Sequence, residues 1–302
     1  MPAESATDAT AVFEAHRPVL TGVAYRMLGR FADAEDVVQD AWLRWSAEGR
    51  ADVREPRGYL VTITTRLAID RLRQAQTRHE TYVGPWLPEP IATRFGPSSP
   101  DAAERAELQE SVSLAVLIVL ESLSPLERAV FVLREAFGFP YADIAATLER
   151  SETAVRQLAG RARRHVDERK PRYDVDVAQR RELTERFMVA AGGGDLDALL
   201  GLLAPDVRLV SDSGGKSKAP RRVIETADKV GRFLFAVAGE SVPGVEYRFT
   251  EINGAPALLV LVDGLPDTVV QVELRDGRIQ CVYLVRNPDK LANVLRVLQL
   301  PE

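Results

Sequence analysis

Between residues 81 and 101 the chain carries Pro85, Pro88, Pro90, Pro97 and Pro100 with Gly84, Gly96, Ser98 and Ser99. Proline removes a backbone donor and fixes φ, so no helix and no central strand tolerates this density. The 302 residues therefore cannot form one uninterrupted domain, and a length near 300 suits two or three. A second break falls near 170–176, where a basic helix end meets Pro171. The reading is a helical segment over 1–80, a Pro-rich linker over 81–109, a second helical segment over 110–173 and an α+β domain over 174–302.

In the first segment Ala34, Val37, Val38, Ala41, Trp42 and Trp45 recur at helical spacing and make one apolar stripe. The rest of that helix is acidic, with Asp33, Glu35, Asp36 and Asp40 ahead of any base. Acids in a first turn complement the helix dipole, but four in eight residues exceed what capping needs. An acidic docking face for a basic partner stays open beside the capping explanation. A later helix starting near Tyr59 buries Leu60, Ile63 and Leu67 and turns Thr62, Thr65, Arg66 and Arg73 to the other side. That face is either plain solvent surface or the lining of a single-stranded nucleic-acid groove.

The most specific pattern lies between 124 and 166. Ser124-Pro125-Leu126-Glu127 sets a cap, a proline in the first turn and a reciprocating glutamate. A short helix follows with Tyr141, Ile144, Ala145 and Leu148 at core spacing, then a three-residue turn from Glu149 to Ser151. The next helix buries Val155, Leu158, Ala159, Ala162 and Val166 and exposes Glu152, Thr153, Arg156, Gln157, Gly160 and Arg164, flanked by Arg161 and Arg163. Two short helices joined this way, the second presenting Thr, Arg and Gln, are what a DNA-reading helix-turn-helix requires. Arg and Gln near the helix start suit base edges, and later arginines suit phosphates. The competing reading is a helical hairpin with a solvated basic face.

Charge has to be read locally here. The chain holds 44 acids against 39 bases for a net −5, which taken whole argues against a nucleic-acid partner. Residues 154–172, however, hold seven Arg/Lys and two acids. One cysteine, Cys281, and three histidines leave no internal disulfide and little for a Cys/His metal site, so no cofactor is expected. No apolar run is long enough for a membrane span and no signal pattern opens the chain, so a cytoplasmic protein without a membrane partner is expected.

Asp33-Ala34-Glu35-Asp36-Val37-Val38-Gln39-Asp40-Ala41-Trp42, then Tyr59-Leu60-Val61-Thr62-Ile63 leading to Ala68-Ile69-Asp70-Arg71-Leu72-Arg73, then the Leu123-to-Arg164 helix-turn-helix, resemble an extracytoplasmic-function sigma factor of bacterial RNA polymerase in composition and order. The resemblance covers residues 11–170. It implies that Asp33, Glu35, Asp36, Gln39 and Asp40 dock on the clamp helices of core RNA polymerase. It also implies that Thr62, Thr65, Arg66, Arg71 and Arg73 serve −10 promoter DNA. Glu152, Thr153, Arg156, Gln157, Arg161 and Arg164 would read the −35 element, and no chemistry would be performed by this chain.

The remaining 130 or so residues read as helices near 178–192 and 195–203, then strands. Val245, Tyr247 and Phe249 alternate; 258–262, 269–274 and 279–285 are apolar or β-branched; and Asn253-Gly254, Asp263-Gly264 and Asp276-Gly277 are hairpin turns. This resembles the SnoaL-like branch of the NTF2-like cone, which one sigma subfamily carries fused to its C-terminus. That subfamily has a Trp-Leu-Pro-Glu-Pro linker motif, matched by Trp86, Leu87, Pro88, Glu89 and Pro90, and an Asp-Gly-Gly-Gly-Lys motif. The latter is matched at Asp212, Gly214, Gly215 and Lys216 but not at Ser213. Asn287-Pro288-Asp289-Lys290-Leu291 resembles it as well. The resemblance implies an extension that touches the linker or the sigma core and tunes activity, and it leaves open a small-molecule ligand in the cone. Two alternatives stand beside it. One is a ligand-responsive helix-turn-helix regulator acting without polymerase. The other is a SnoaL-like isomerase or cyclase, for which Asp206, Asp212, Asp263 and Tyr283 are the available acid/base groups, with no histidine beyond His165.

Overall fold

The computed structural model describes residues 2–47, 53–79, 82–91, 114–169, 177–240 and 242–298. They form two compact units. The first joins residues 1–80 and 97–170; the second joins residues 81–96 and 171–302.

In the first unit α1 (Pro2–Leu28), α2 (Phe31–Ala47) and α3 (Pro56–His79) pack side by side. The stripe of α2 is buried at Ala34, Val37, Val38, Ala41 and Trp45, as its period dictates. Trp45 donates its indole N–H to the Ala9 carbonyl at 2.9 Å, and Phe13 meets Trp42 edge-on at 5.0 Å between centroids. A short apolar α4 (Leu114–Leu120) precedes α5 (Pro125–Phe131). The α5 start is a complete capping box, with Ser124 and Glu127 satisfying each other's backbone N–H groups. The helix runs on through a π-helical turn at Val132–Ala136 before α6 (Tyr141–Leu148) and α7 (Glu152–Arg169).

The α6–α7 turn closes without a glycine. Glu149 takes φ 54, and the Arg150 N–H reaches the Ala145 carbonyl at 3.0 Å. Ser151 then caps α7 by accepting the Ala154 N–H at 3.2 Å. Ile144 and Ala145 of α6 are buried, as are Val155, Leu158, Ala159, Ala162 and Val166 of α7.

In the second unit α8 (Val177–Gly193), α9 (Leu196–Leu202) and α10 (Ala227–Ala238) pack with β1 (Leu203–Asp212), β2 (Ile224–Glu225), β3 (Val245–Ile252), β4 (Ala255–Val262), β5 (Leu265–Arg275) and β6 (Arg278–Val285); α11 (Pro288–Leu298) follows. The strand order is β2-β1-β6-β5-β4-β3, antiparallel except where β1 runs parallel to β6. Asn253-Gly254, Asp263-Gly264 and Asp276-Gly277 all have positive φ at both positions, the two-residue turn that matches strand twist. One face of the sheet carries a core of Phe187, Met188, Leu199, Leu202 and Val230 from the helices against Leu209, Leu258, Val270, Val282 and Leu284. Register shifts interrupt the β1–β6, β4–β5 and β5–β6 pairs and curl the sheet, whereas β3 and β4 pair without a shift.

Candidate functional site

Within the first unit the acidic residues of α2 border a groove against α1. Its volume is about 590 Å³, and Thr10, Phe13, Glu14, Arg17, Glu35, Asp36, Gln39 and Trp42 line it. Glu35, Gln39 and Asp40 are exposed. The groove adds Phe13, Glu14 and Arg17 of α1, which the periodicity of α2 alone could not point to. Arg71 of α3 reaches across to Asp36 at 2.5 Å and to Asp33 at 3.5 Å. A residue expected to face DNA is thus committed in part to bracing the acidic face.

The arc of α3 departs from the expected open surface. Thr65 is 0% exposed, which corrects its placement on a free face. The cause is tertiary: α3 is packed by α1, α2, α5 and α6, so more than one side of the helix is covered. The Thr62 and Thr147 hydroxyls meet at 3.0 Å. Arg66 donates from Nε to the Thr147 carbonyl at 2.9 Å and pairs with Glu149 at 3.0 Å. The arginine thereby caps the C-terminal end of α6, where carbonyls lack helical partners. Arg73 is exposed and pairs with Asp70 at 3.2 Å.

On α7 the structure exposes Glu152, Thr153, Arg156, Gln157, Arg161 and Arg164. Arg156 pairs with Glu152 and stacks 4.6 Å from the Tyr141 ring centroid. Arg161 pairs with Glu127 at 2.9 Å. Burial pushes the Glu127 carboxyl up, yet hydrogen bonds from Ser124 and Arg161 together hold it below its ordinary value. Arg163 pairs with Glu135 at 2.7 Å, which raises its pKa. Arg164 donates to the Gly160 carbonyl at 3.3 Å.

The second unit closes around the linker. Asp212, 0% exposed at the end of β1, gathers four donors. Its Oδ2 accepts the Leu87 N–H at 2.8 Å and the Lys290 ammonium at 2.6 Å; its Oδ1 accepts the Tyr82 hydroxyl at 2.6 Å and the Gly214 N–H at 3.1 Å. Lys290, 2% exposed, also donates to the Leu87 carbonyl and sits 3.9 Å from the Trp86 ring centroid. Asp212 and Lys290 therefore bracket one residue of the linker, Asp212 accepting its backbone N–H and Lys290 donating to its carbonyl. Asn287 donates to the Tyr82 hydroxyl at 2.7 Å, and Asn293 donates to the buried Glu89 carboxylate. Asn253 exchanges two hydrogen bonds with Ile91, at 2.8 and 3.1 Å. Leu87, Pro88, Glu89 and Pro90 are all buried.

The two matched glycines explain the close approach. At Gly214, φ +57, a Cβ would lie 2.6 Å from Asn287 Nδ2 and 3.0 Å from the Tyr82 hydroxyl; at Gly215, φ +74, it would lie 3.1 Å from Val83. Lys216 pairs with Asp289 on the surface and leaves the bracketing to Lys290. Asn287 and Lys290 stand in the sequence only as members of a motif, and nothing there points to Tyr82 or Asn293. Asn253 was read there as a turn residue alone. A lysine on the inner side of an amphipathic helix was the one available signal.

The acid/base groups weighed for an enzyme do not converge. Asp206 is exposed, Asp212 is committed to the linker, Asp263 sits in a hairpin turn and Tyr283 donates to Glu273 at 2.6 Å. Burial pushes the Glu273 carboxyl up, while the Tyr283 hydrogen bond acts against that rise. Among the described residues no helix is long and apolar enough to cross a membrane, and no group of three metal-ligating side chains is found.

Known proteins give the same outline. The family described as Sigma-70 region 2 matches residues 12–78, and that described as Sigma-70, region 4 matches residues 113–166. The chain is 40% identical over 289 residues to the ECF RNA polymerase sigma factor SigJ of Mycobacterium tuberculosis, covering 92% of this chain and 91% of that protein. It is 36% identical to the probable ECF RNA polymerase sigma factor SigI of the same organism, covering 93% and 94%. The crystal structure of M. tuberculosis SigJ superposes with a TM-score of 0.76 at 37% identity, covering 94% of this chain and 98% of that one.

Proposed function

Because the chain belongs to the extracytoplasmic-function sigma factors of RNA polymerase, we propose that its C-terminal unit sets its activity in promoter-specific initiation by holding the linker. The carrying observation is the bracket of Asp212 and Lys290 on the backbone N–H and C=O of Leu87, 125 and 203 residues away in sequence. A linker held by buried charge-assisted bonds has a defined path, and release would restore its conformational freedom.

In this reading Asp33, Glu35, Asp36, Gln39 and Asp40 form the surface for core polymerase. The groove at Phe13 and Trp42 gives it an apolar floor. Arg156 and Gln157 read −35 bases, and Arg161 and Arg164 contact phosphates. Thr62 and Arg66 reach −10 DNA only after α6 leaves the seat that Thr147 and Glu149 now occupy.

Reconstitution with core polymerase tests these roles. Wild-type protein should give promoter-specific transcripts. Asp36→Lys should weaken core binding without changing promoter preference, and Arg156→Ala should lose about 1 to 3 kcal/mol selectively at −35. Trp86→Ala should change transcript yield on every promoter alike. An unchanged yield from Trp86→Ala would refute regulation through the linker while leaving the sigma assignment intact.

A further inference from the structure

The two edges of the six-stranded sheet differ sharply. One edge is β2, two residues long and followed at once by α10. The other is β3, eight residues long, without proline, lysine or a bulge against β4. Of the devices by which sheets avoid edge-to-edge association, β3 lacks shortness, lysine, proline and a bulge; it does carry charges, Glu246, Arg248 and Glu251, but they are of both signs, so a facing strand can pair them rather than be repelled. It also exposes two aromatics, Tyr247 at 55% and Phe249 at 50%.

The direction of its backbone groups follows from the hairpin. Ile252 and Ala255 flank the two-residue turn, and the Asp263 N–H bonds the Gly244 carbonyl at 3.0 Å at the far end. Even-numbered residues of β3 therefore exchange hydrogen bonds with β4. Val245, Tyr247 and Phe249 turn their N–H and C=O groups outward from the sheet edge.

We propose that two copies of this chain associate through β3, antiparallel and centred on Tyr247, to continue the sheet across a two-fold axis. Charge selects this register. Centring on Tyr247 places Glu246 opposite Arg248 of the second copy, twice by symmetry, and Val245 opposite Phe249. Centring on Arg248 would instead oppose two arginines, and centring on Phe249 would oppose Arg248 to Thr250. In the single chain Glu246 and Arg248 lie on one face, 3.0 Å apart, each about half exposed, so both are available to a facing strand. Opposite charges and aromatic or β-branched residues in facing positions stabilise a strand pair, and a two-fold interface counts each contact twice. The outward-facing Val245, Tyr247 and Phe249 are the residues that this register makes exchange backbone bonds.

A strand pair of this length is at the small end of specific interfaces, so association should appear on the order of tens of micromolar. Sedimentation or light scattering of the full chain over roughly 5 to 300 µM should show a monomer rising to a dimer. Arg248→Glu should move the midpoint at least about tenfold higher, because it faces Glu246 of the other copy twice. Glu246→Arg combined with Arg248→Glu should restore the wild-type midpoint. Both side chains are exposed, and far-UV circular dichroism would confirm that each variant is folded. Hydrogen exchange at high concentration should slow at Val245, Tyr247 and Phe249 and not at Glu246, Arg248 and Thr250. A monomer throughout, an Arg248→Glu variant that dimerises like wild type, or a double variant that fails to recover would each overturn the proposal.

Discussion

Lys290→Met asks how firmly the linker is held. The substitution keeps most of the aliphatic stem and removes the ammonium that contacts Asp212, the Leu87 carbonyl and the Trp86 ring. Asp212 is left fully buried as a carboxylate with three donors, from Leu87, Tyr82 and Gly214. Removing one partner of a buried pair costs about 3 to 5 kcal/mol, because the remaining charge has lost its compensation. The three retained donors place this case near the lower figure. At about 1.4 kcal/mol per factor of ten, a loss of about 3 kcal/mol opens the linker roughly a hundredfold more often. The Leu87 amide reports this directly, since its only route to exchange is release from Asp212 Oδ2. Its hydrogen-exchange rate in the full chain should rise about a hundredfold, while amides of α2 and α7 keep their rates. A change below about threefold would mean that the bracket is a consequence of packing by Leu87, Pro88 and Pro90 rather than its cause.

Gly214→Ala should loosen the same segment by another route. A Cβ at φ +57 costs about 1 to 2 kcal/mol of backbone strain and collides with Asn287. Faster exchange at Leu87 and a red-shifted Trp86 emission should follow, and an unchanged spectrum would refute the close-approach argument. Glu273→Gln should raise the apparent unfolding temperature at neutral pH. Burial raises the folded-state pKa of Glu273 above its unfolded value, so the charged form costs stability above the folded pKa and the cost fades as pH falls through it. The advantage of the Glu273→Gln variant over wild type should therefore shrink toward about pH 4, and an advantage that grows with acid would contradict the sign. Glu127 gives the opposite case, with stability present above the unfolded carboxylate pKa and lost as acid protonates it. Glu127→Gln should therefore cost stability at neutral pH and converge with wild type in acid, which thermal melts across pH would check.

Locally encoded features were legible in the sequence. The capping box at Ser124 and Glu127, the bounds of α6 and α7 and the three Asx-Gly turns rest on interactions within five residues, and the structure reproduces them. Thr65 was misplaced because a helical wheel assumes one buried side, whereas α3 is packed by several helices. The π-helical turn at Val132–Ala136 left no periodic signature to read. The linker bracket could not be read from spacing, because it joins residues near 87, 212 and 290 through sheet topology. Only the subfamily resemblance linked its three parts, and as a site residue it pointed to Lys216 where the buried lysine is Lys290.

The order in which the linker's partners occur along the chain has a consequence during synthesis. Residues 82–91 and every helix of the first unit precede residue 170, while the parts that hold the linker run from Asp212 to Asn293. At about 5 to 20 residues per second, the 123 positions from Lys170 to Asn293 take on the order of 6 to 25 seconds to translate. For that interval each new molecule carries the finished helices of the first unit while the set of groups that holds its linker is still incomplete. The hold on the linker is thus completed only well after the first unit has been made, and a chain that stops short of α11 lacks Lys290 and Asn293 to complete it.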